Sequence, residues 1–224
     1  MTFLKKTLFS VLVLIAMPAI AFAQIESCTV SFNGSEPSII DFARAYCSEC
    51  DNDSFERIAL AAFTKGNAKN GQTECIVDSK NGYVKYTAPV YGELTTIEMC
   101  YWNCDNKNEK LVAVNNITVS SGIEESFLFF YRYNVKNKTM TLIEPPFSRD
   151  PDPLDLVDQD KADRKTIEEI LGANNEDVNR LLPCFSLPRN GKDITYHMAD
   201  PDAIPKQFQR EGMLIWDGSG FNTK

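Results

Sequence analysis

Cys47-Ser48-Glu49-Cys50 sets two thiols three residues apart. That spacing serves a redox couple, half of a zinc site or structural disulfides, and the surroundings decide between them. A redox couple needs its first thiol at a helix N-terminus, where the dipole favours the thiolate. Here the pair follows the apolar period of 37–48, at the negative end of the expected helix. A zinc knuckle would combine Cys47 and Cys50 with Cys100 and Cys104, but structural zinc holds its second pair closer and belongs to a reducing compartment. Structural disulfides are therefore the expectation for Cys28, Cys47, Cys50, Cys75, Cys100 and Cys104. In one strand Cys100 and Cys104 would lie about 13 Å apart, too far to bond each other, so each would reach an element packed on the sheet. If the first helix ends over Trp102, Cys47 and Cys50 could supply the partners, with Cys28 and Cys75 as a third bridge. If the strand ends at Trp102 instead, Cys104 lies in the turn and local pairing reopens. The sequence does not choose among the 15 connectivities of six cysteines.

Cys184 is the seventh thiol, and His197 is the chain's single histidine. Both fall on short candidate strands joined by the turn Pro188-Arg189-Asn190-Gly191. A nucleophilic thiol needs such a base, with Asp193 or Asp200 available to orient the imidazole, so a thiol-dependent hydrolase is one alternative. A thiol–disulfide redox protein using Cys47 and Cys50 is another. One histidine excludes a three-histidine metal site. No G-x-S-x-G, H-E-x-x-H, Walker or dinucleotide glycine loop occurs, so neither cofactor nor metal is expected. Asp150, Asp152, Asp155, Asp158 and Asp160 offer oxygen ligands but lack the turn glycine of a calcium loop, and they read as a solvated acidic stretch. Trp102 and Trp216 could present an aromatic platform to a sugar or peptide. Asn33, Asn52, Asn116 and Asn137 each head an N-x-Ser/Thr triplet.

These residues are positioned by a chain that opens like an export signal. Lys5 and Lys6 precede an apolar run over 8–17, and Ala21-Phe22-Ala23 offers small residues at the cleavage positions, so the expected new N-terminus is Gln24. Removal of residues 1–23 leaves 21 basic and 31 acidic side chains, a net −10 against −8 for the whole chain. Such a surface repels phosphate backbones and anionic lipid, which disfavours nucleic acid as a partner. No later apolar stretch is long enough for stable membrane insertion. The expected location is secreted or periplasmic, with a glycan, a peptide or a basic protein as partner.

Apolar residues recur at helical spacing over 37–48, capped by Ser35, and over 54–65, stopped by Gly66. From Thr73 the period becomes two. Strands are expected over 73–79, 82–87, 94–103, 110–119, 126–134 and 139–143, joined by short polar turns that force an antiparallel meander. Phe127, Phe129, Tyr131 and Tyr133 share one face of the fifth of these, with Leu128 and Phe130 on the other. Prolines then break the pattern, making 148–160 an acidic loop or linker. Helices over 161–171 and 175–182 and short strands over 184–187, 193–198 and 213–216 complete a C-terminal α/β extension at 161–224. The expected fold class is α+β: an antiparallel meander at 24–147 covered by the N-terminal helices, extended at the C-terminus and stapled by disulfides. The expected function is a non-catalytic binding or interaction module of the envelope or exterior.

Overall fold

The computed structural model describes residues 25–163, 165, 166 and 178–224. The expected export signal at 1–23, part of the expected helix over 161–171 and the start of that over 175–182 lie outside the described residues. The end of the second, Val178–Leu181, is a 3-10 turn.

Two α-helices occur among the described residues. The first, α1 (Ile39–Ser48), starts at Ser38 rather than Ser35. Ser38 and Asp41 bond each other's backbone N–H groups reciprocally, at 3.3 and 2.9 Å, a capping box that fixes the start. The second, α2 (Phe55–Lys65), is capped by the Ser54 hydroxyl and ends at Gly66, whose φ of 92° closes it.

The rest is mainly strand. Eight strands form an antiparallel sheet in the order β1-β8-β7-β6-β5-β4-β3-β2. Their ranges are β1 (Ser27–Thr29), β2 (Ala68–Asn70), β3 (Thr73–Asp78), β4 (Tyr83–Val90), β5 (Glu93–Asn103), β6 (Glu109–Ser120), β7 (Ile123–Asn134) and β8 (Thr139–Ile143). From β2 to β8 each strand pairs with the next, and β1 returns to cover the β8 edge. Both faces carry buried residues. On the first, Ile39, Phe42, Tyr46, Ala59 and Phe63 of the helices pack on Val84, Ile97, Met99, Val114 and Tyr131.

On the second face lies another antiparallel sheet, β12-β11-β10-β9, built from β9 (Pro183–Ser186), β10 (Ile194–Met198), β11 (Gly212–Trp216) and β12 (Phe221–Thr223). Ile194, Tyr196, Leu214 and Phe221 close a second core over Tyr83, Trp102, Leu111 and Phe130. The Tyr196 ring lies directly over Gly212, its register partner, where a Cβ would sit 2.1 Å from the ring. The acidic stretch packs here too: Leu156 and Val157 are buried, and Asp155 holds both Arg149 and the Tyr196 hydroxyl.

These observations correct the α+β class. The molecule is mostly β, two sheets packed face to face with two helices on the outer side of the larger one. The disulfide staple is corrected as well: all seven cysteines are buried, free thiols. Cys28, Cys47, Cys50 and Cys75 lie in the helix-side core, whereas Cys100 and Cys104 lie in the core between the sheets. Trp102 points away from α1, so the eight-stranded sheet itself separates the thiols expected to pair. Cys28 and Cys75 sit six strand steps apart, about 29 Å at the usual spacing.

Candidate functional site

A strand at the edge of a sheet leaves a row of backbone N–H and C=O groups without partners. β9 is such an edge, and it lies against the face of the larger sheet. Its outward groups are met there by side chains instead of a neighbouring strand. The Phe185 N–H donates to Ser126 Oγ at 3.3 Å, the Phe185 carbonyl accepts from Asn115 Nδ2 at 2.8 Å, and the Leu187 N–H donates to Glu98 Oε1 at 2.8 Å. Pro183 has no N–H to satisfy, which suits an edge. The three side chains also hold one another. Asn115 Nδ2 donates to Glu98 Oε1 at 3.0 Å, and the Ser126 hydroxyl donates to Asn115 Oδ1 at 2.7 Å. Tyr83 Oη completes the set with a 2.9 Å bond to Glu98 Oε2. Glu98 is 3% exposed, and burial raises its pKa while these donors oppose the shift.

This seam divides the second face. On one side the smaller sheet covers it; on the other it stays open as a cleft of about 420 Å³. Its floor carries Thr87 and Thr96, whose hydroxyls bond at 2.8 Å, beside Ile117 and Val119. One wall holds the Lys69–Glu74 ion pair at 3.1 Å, and the other brings His197 Nε2 to 3.5 Å from Glu124 Oε2. Glu98 closes the inner end. A buried carboxyl with a displaced pKa, in a concave and mixed-polarity pocket, is the pattern that marks binding sites.

Cys184 and His197 are brought together, opposite one another across β9 and β10. The thiol is nevertheless 1% exposed and donates to the Glu124 carbonyl at 3.1 Å. Burial and the charges of Glu124 and Glu125 push its pKa to about 12, so it stays protonated at neutral pH. Neither expected aspartate orients the imidazole. Asp193 accepts the Trp216 N–H, and Asp200 holds Arg180. Glu124 takes that place and raises the His197 pKa. Sequence reading missed Glu124 by assigning it to a turn, because β7 starts three residues before Ser126.

Cys47 and Cys50 are also buried, and burial lifts both pKa values, that of Cys50 to about 12. Trp102 and Trp216 stack at 5.8 Å between the sheets, with Trp102 4% exposed and its indole N–H bonded to the Lys192 carbonyl at 2.8 Å. Trp102 is thus taken up in packing, and Trp216 is partly buried against it. Asn116 is fully buried, which leaves Asn33, Asn52 and Asn137 as the exposed triplets. Among the described residues no group of three or more His, Cys, Asp or Glu side chains is arranged to hold a metal, and no helix is long and apolar enough to cross a membrane.

No family model matches the chain, and no curated protein matches it. Among solved structures it is similar to a domain of an uncharacterized protein from Porphyromonas gingivalis W83, at 12% identity and a TM-score of 0.47, over 76% of this chain and 90% of that one.

Proposed function

We propose that the protein is a non-catalytic binding module, exported by its N-terminal segment, whose ligand seats in the cleft beside the β9 seam. The observation that carries this reading is the pairing of a preformed polar cleft with thiols held in their protonated, buried form. The cleft offers hydroxyls, a cation and an aliphatic floor on rigid strands. The groups that would drive covalent chemistry, Cys184 above all, are withdrawn from solvent. Neither tryptophan lines this cleft, so the ligand is recognised by hydrogen bonds and aliphatic contact, which favours a peptide or small polar molecule over a stacked sugar.

A ligand screen by thermal shift, on the native protein and on the cleft-filling variant Thr96→Trp, tests the proposal. A ligand that raises the melting temperature of the native protein should lose its effect on the filled variant. Retained binding in that variant removes the cleft from the account. Turnover of an ester substrate that ceases on alkylation of Cys184 would restore the hydrolase.

A further inference from the structure

Lys85 stands opposite Glu98 across β4 and β5, on the face that floors the cleft. Direct neighbours of opposite charge normally pair. Here both Glu98 oxygens are taken by Tyr83, Asn115 and the Leu187 N–H. Among the described residues Lys85 has no ion-pair partner, while Lys69 is engaged by Glu74 and the His197 imidazole lies against Glu124. The cleft therefore holds one ammonium that makes no direct ion pair, although its charge acts through space on Glu98 and favours that carboxylate.

Two residues along the same strand, Thr87 bonds Thr96. In a hydroxyl pair only one hydrogen is used, so a second O–H donor remains for whatever occupies the cleft. Thr96 faces Ile117 in register, and Leu94 faces Val119 one step further. A cation, a hydroxyl donor and a branched aliphatic surface thus follow one another across the floor.

Resting on the reading of this cleft as the ligand site, we propose that it takes an aliphatic carboxylate. The anion sits on Lys85 and the free hydroxyl of the Thr87–Thr96 pair, and the alkyl body covers Leu94, Ile117 and Val119. A charge-assisted bond to an ammonium is stronger than a neutral one and gives the site its selectivity. Three carboxylates line the same cleft, and each is held by its own partners: Glu74 by Lys69, Glu124 by His197, and Glu98 by Tyr83, Asn115 and the Leu187 N–H. Exposed charges beyond about 8 Å are screened at physiological salt. Two sources share this chemistry: a free short branched-chain acid, and the C-terminus of a peptide ending in an aliphatic residue.

The test is an NMR titration of the intact protein with 4-methylpentanoate and with its neutral amide. The acid should give saturable shifts at Thr87, Thr96, Ile117 and Val119. Its affinity should fall about tenfold for the amide and for Lys85→Gln, a half-buried position whose melting temperature checks folding. N-acetyl-Ala-Leu with a free or amidated C-terminus separates the sources: tighter binding than the free acid assigns a peptide, weaker binding a free acid. Equal affinity for acid and amide, or unchanged affinity in Lys85→Gln, overturns the carboxylate and leaves the cleft as a neutral-ligand site. Shifts confined to residues outside the cleft also overturn it, and the Thr96→Trp screen then decides the cleft reading separately.

Discussion

The two faces of the eight-stranded sheet are covered by different kinds of element, and the contact chemistry differs accordingly. A helix satisfies its own backbone, so α1 and α2 need only present side chains such as Phe42, Tyr46 and Phe63 to the strands beneath. The smaller sheet presents a bare strand edge, and no amount of apolar packing satisfies the Phe185 and Leu187 backbone. Glu98, Asn115 and Ser126 exist on the second face to do so. Covering a sheet with a helix asks for shape; covering it with an edge strand asks for hydrogen-bonding partners as well. Of the partners that close the seam, Glu98 also borders the open half of the face, so one buried carboxyl serves both the seam and the cleft.

That contrast is most severely tested at Trp102, which ties the sheets by stacking on Trp216 and by its bond to Lys192. Trp102→Ala should cost about 3–5 kcal/mol in urea unfolding and should loosen the smaller sheet first. Loss of hydrogen-exchange protection at Tyr196 and Leu214 ahead of Phe42 and Tyr46 would sharpen the contrast; simultaneous loss would show one cooperative unit. Next comes Asn115→Leu, which leaves the Phe185 carbonyl, Ser126 and Glu98 each short of a partner. It should cost about 3 kcal/mol, against about 1 kcal/mol for Ile97→Val on the helix face. Equal costs would break the distinction between the faces.

Acid titration separates the faces more gently. The Glu98 pKa lies above the ordinary 4.5, so its contribution is complete below that value and declines as pH rises through the raised one. His197, raised above 6.5 by Glu124, acts in the same direction over a higher window. On the helix face Cys28 and Cys50, displaced to about 11 and about 12, do not titrate in either range. Glu98→Gln should therefore flatten the part of the pH–stability curve that starts at 4.5 and leave the rest. The smallest effect belongs to His197→Gln. Its side chain is 43% exposed, and the loss should stay near 0.5 kcal/mol, measured below pH 6.5.

The sequence made single elements legible more readily than their partners. Alternation over Leu94–Asn103 and the two-sided apolar pattern around Phe129 and Phe130 mark strands covered on both faces, and Gly66 marks the end of α2. The α+β class failed although three of the four short C-terminal strands were legible. β12 spans only three residues, and nothing local shows that β9–β12 pair with one another, so a whole second sheet read as an extension. The disulfides failed on parity. Nothing local reveals that Trp102, Cys100 and Cys104 face away from α1; that follows only from pairing Cys100 with Tyr83 and Cys75 with Tyr86. The candidate site was hidden for a related reason. Glu98, Asn115 and Lys85 each look like ordinary polar residues in a strand, and they become one row only once three strands are in register.

The side-chain clasp on β9 also dictates an order of events in time. The meander pairs neighbours in sequence and can zip up hairpin by hairpin. The clasp instead joins residues 59, 70 and 89 positions apart, and closing such long loops is slow. The smaller sheet should therefore dock after the meander has formed, and hydrogen exchange in which it opens before the helix-side core would show this order. The Leu187 amide, hidden behind Glu98, is the clock for that opening: its exchange rate reports how often the clasp lets go while the rest of the molecule stays folded.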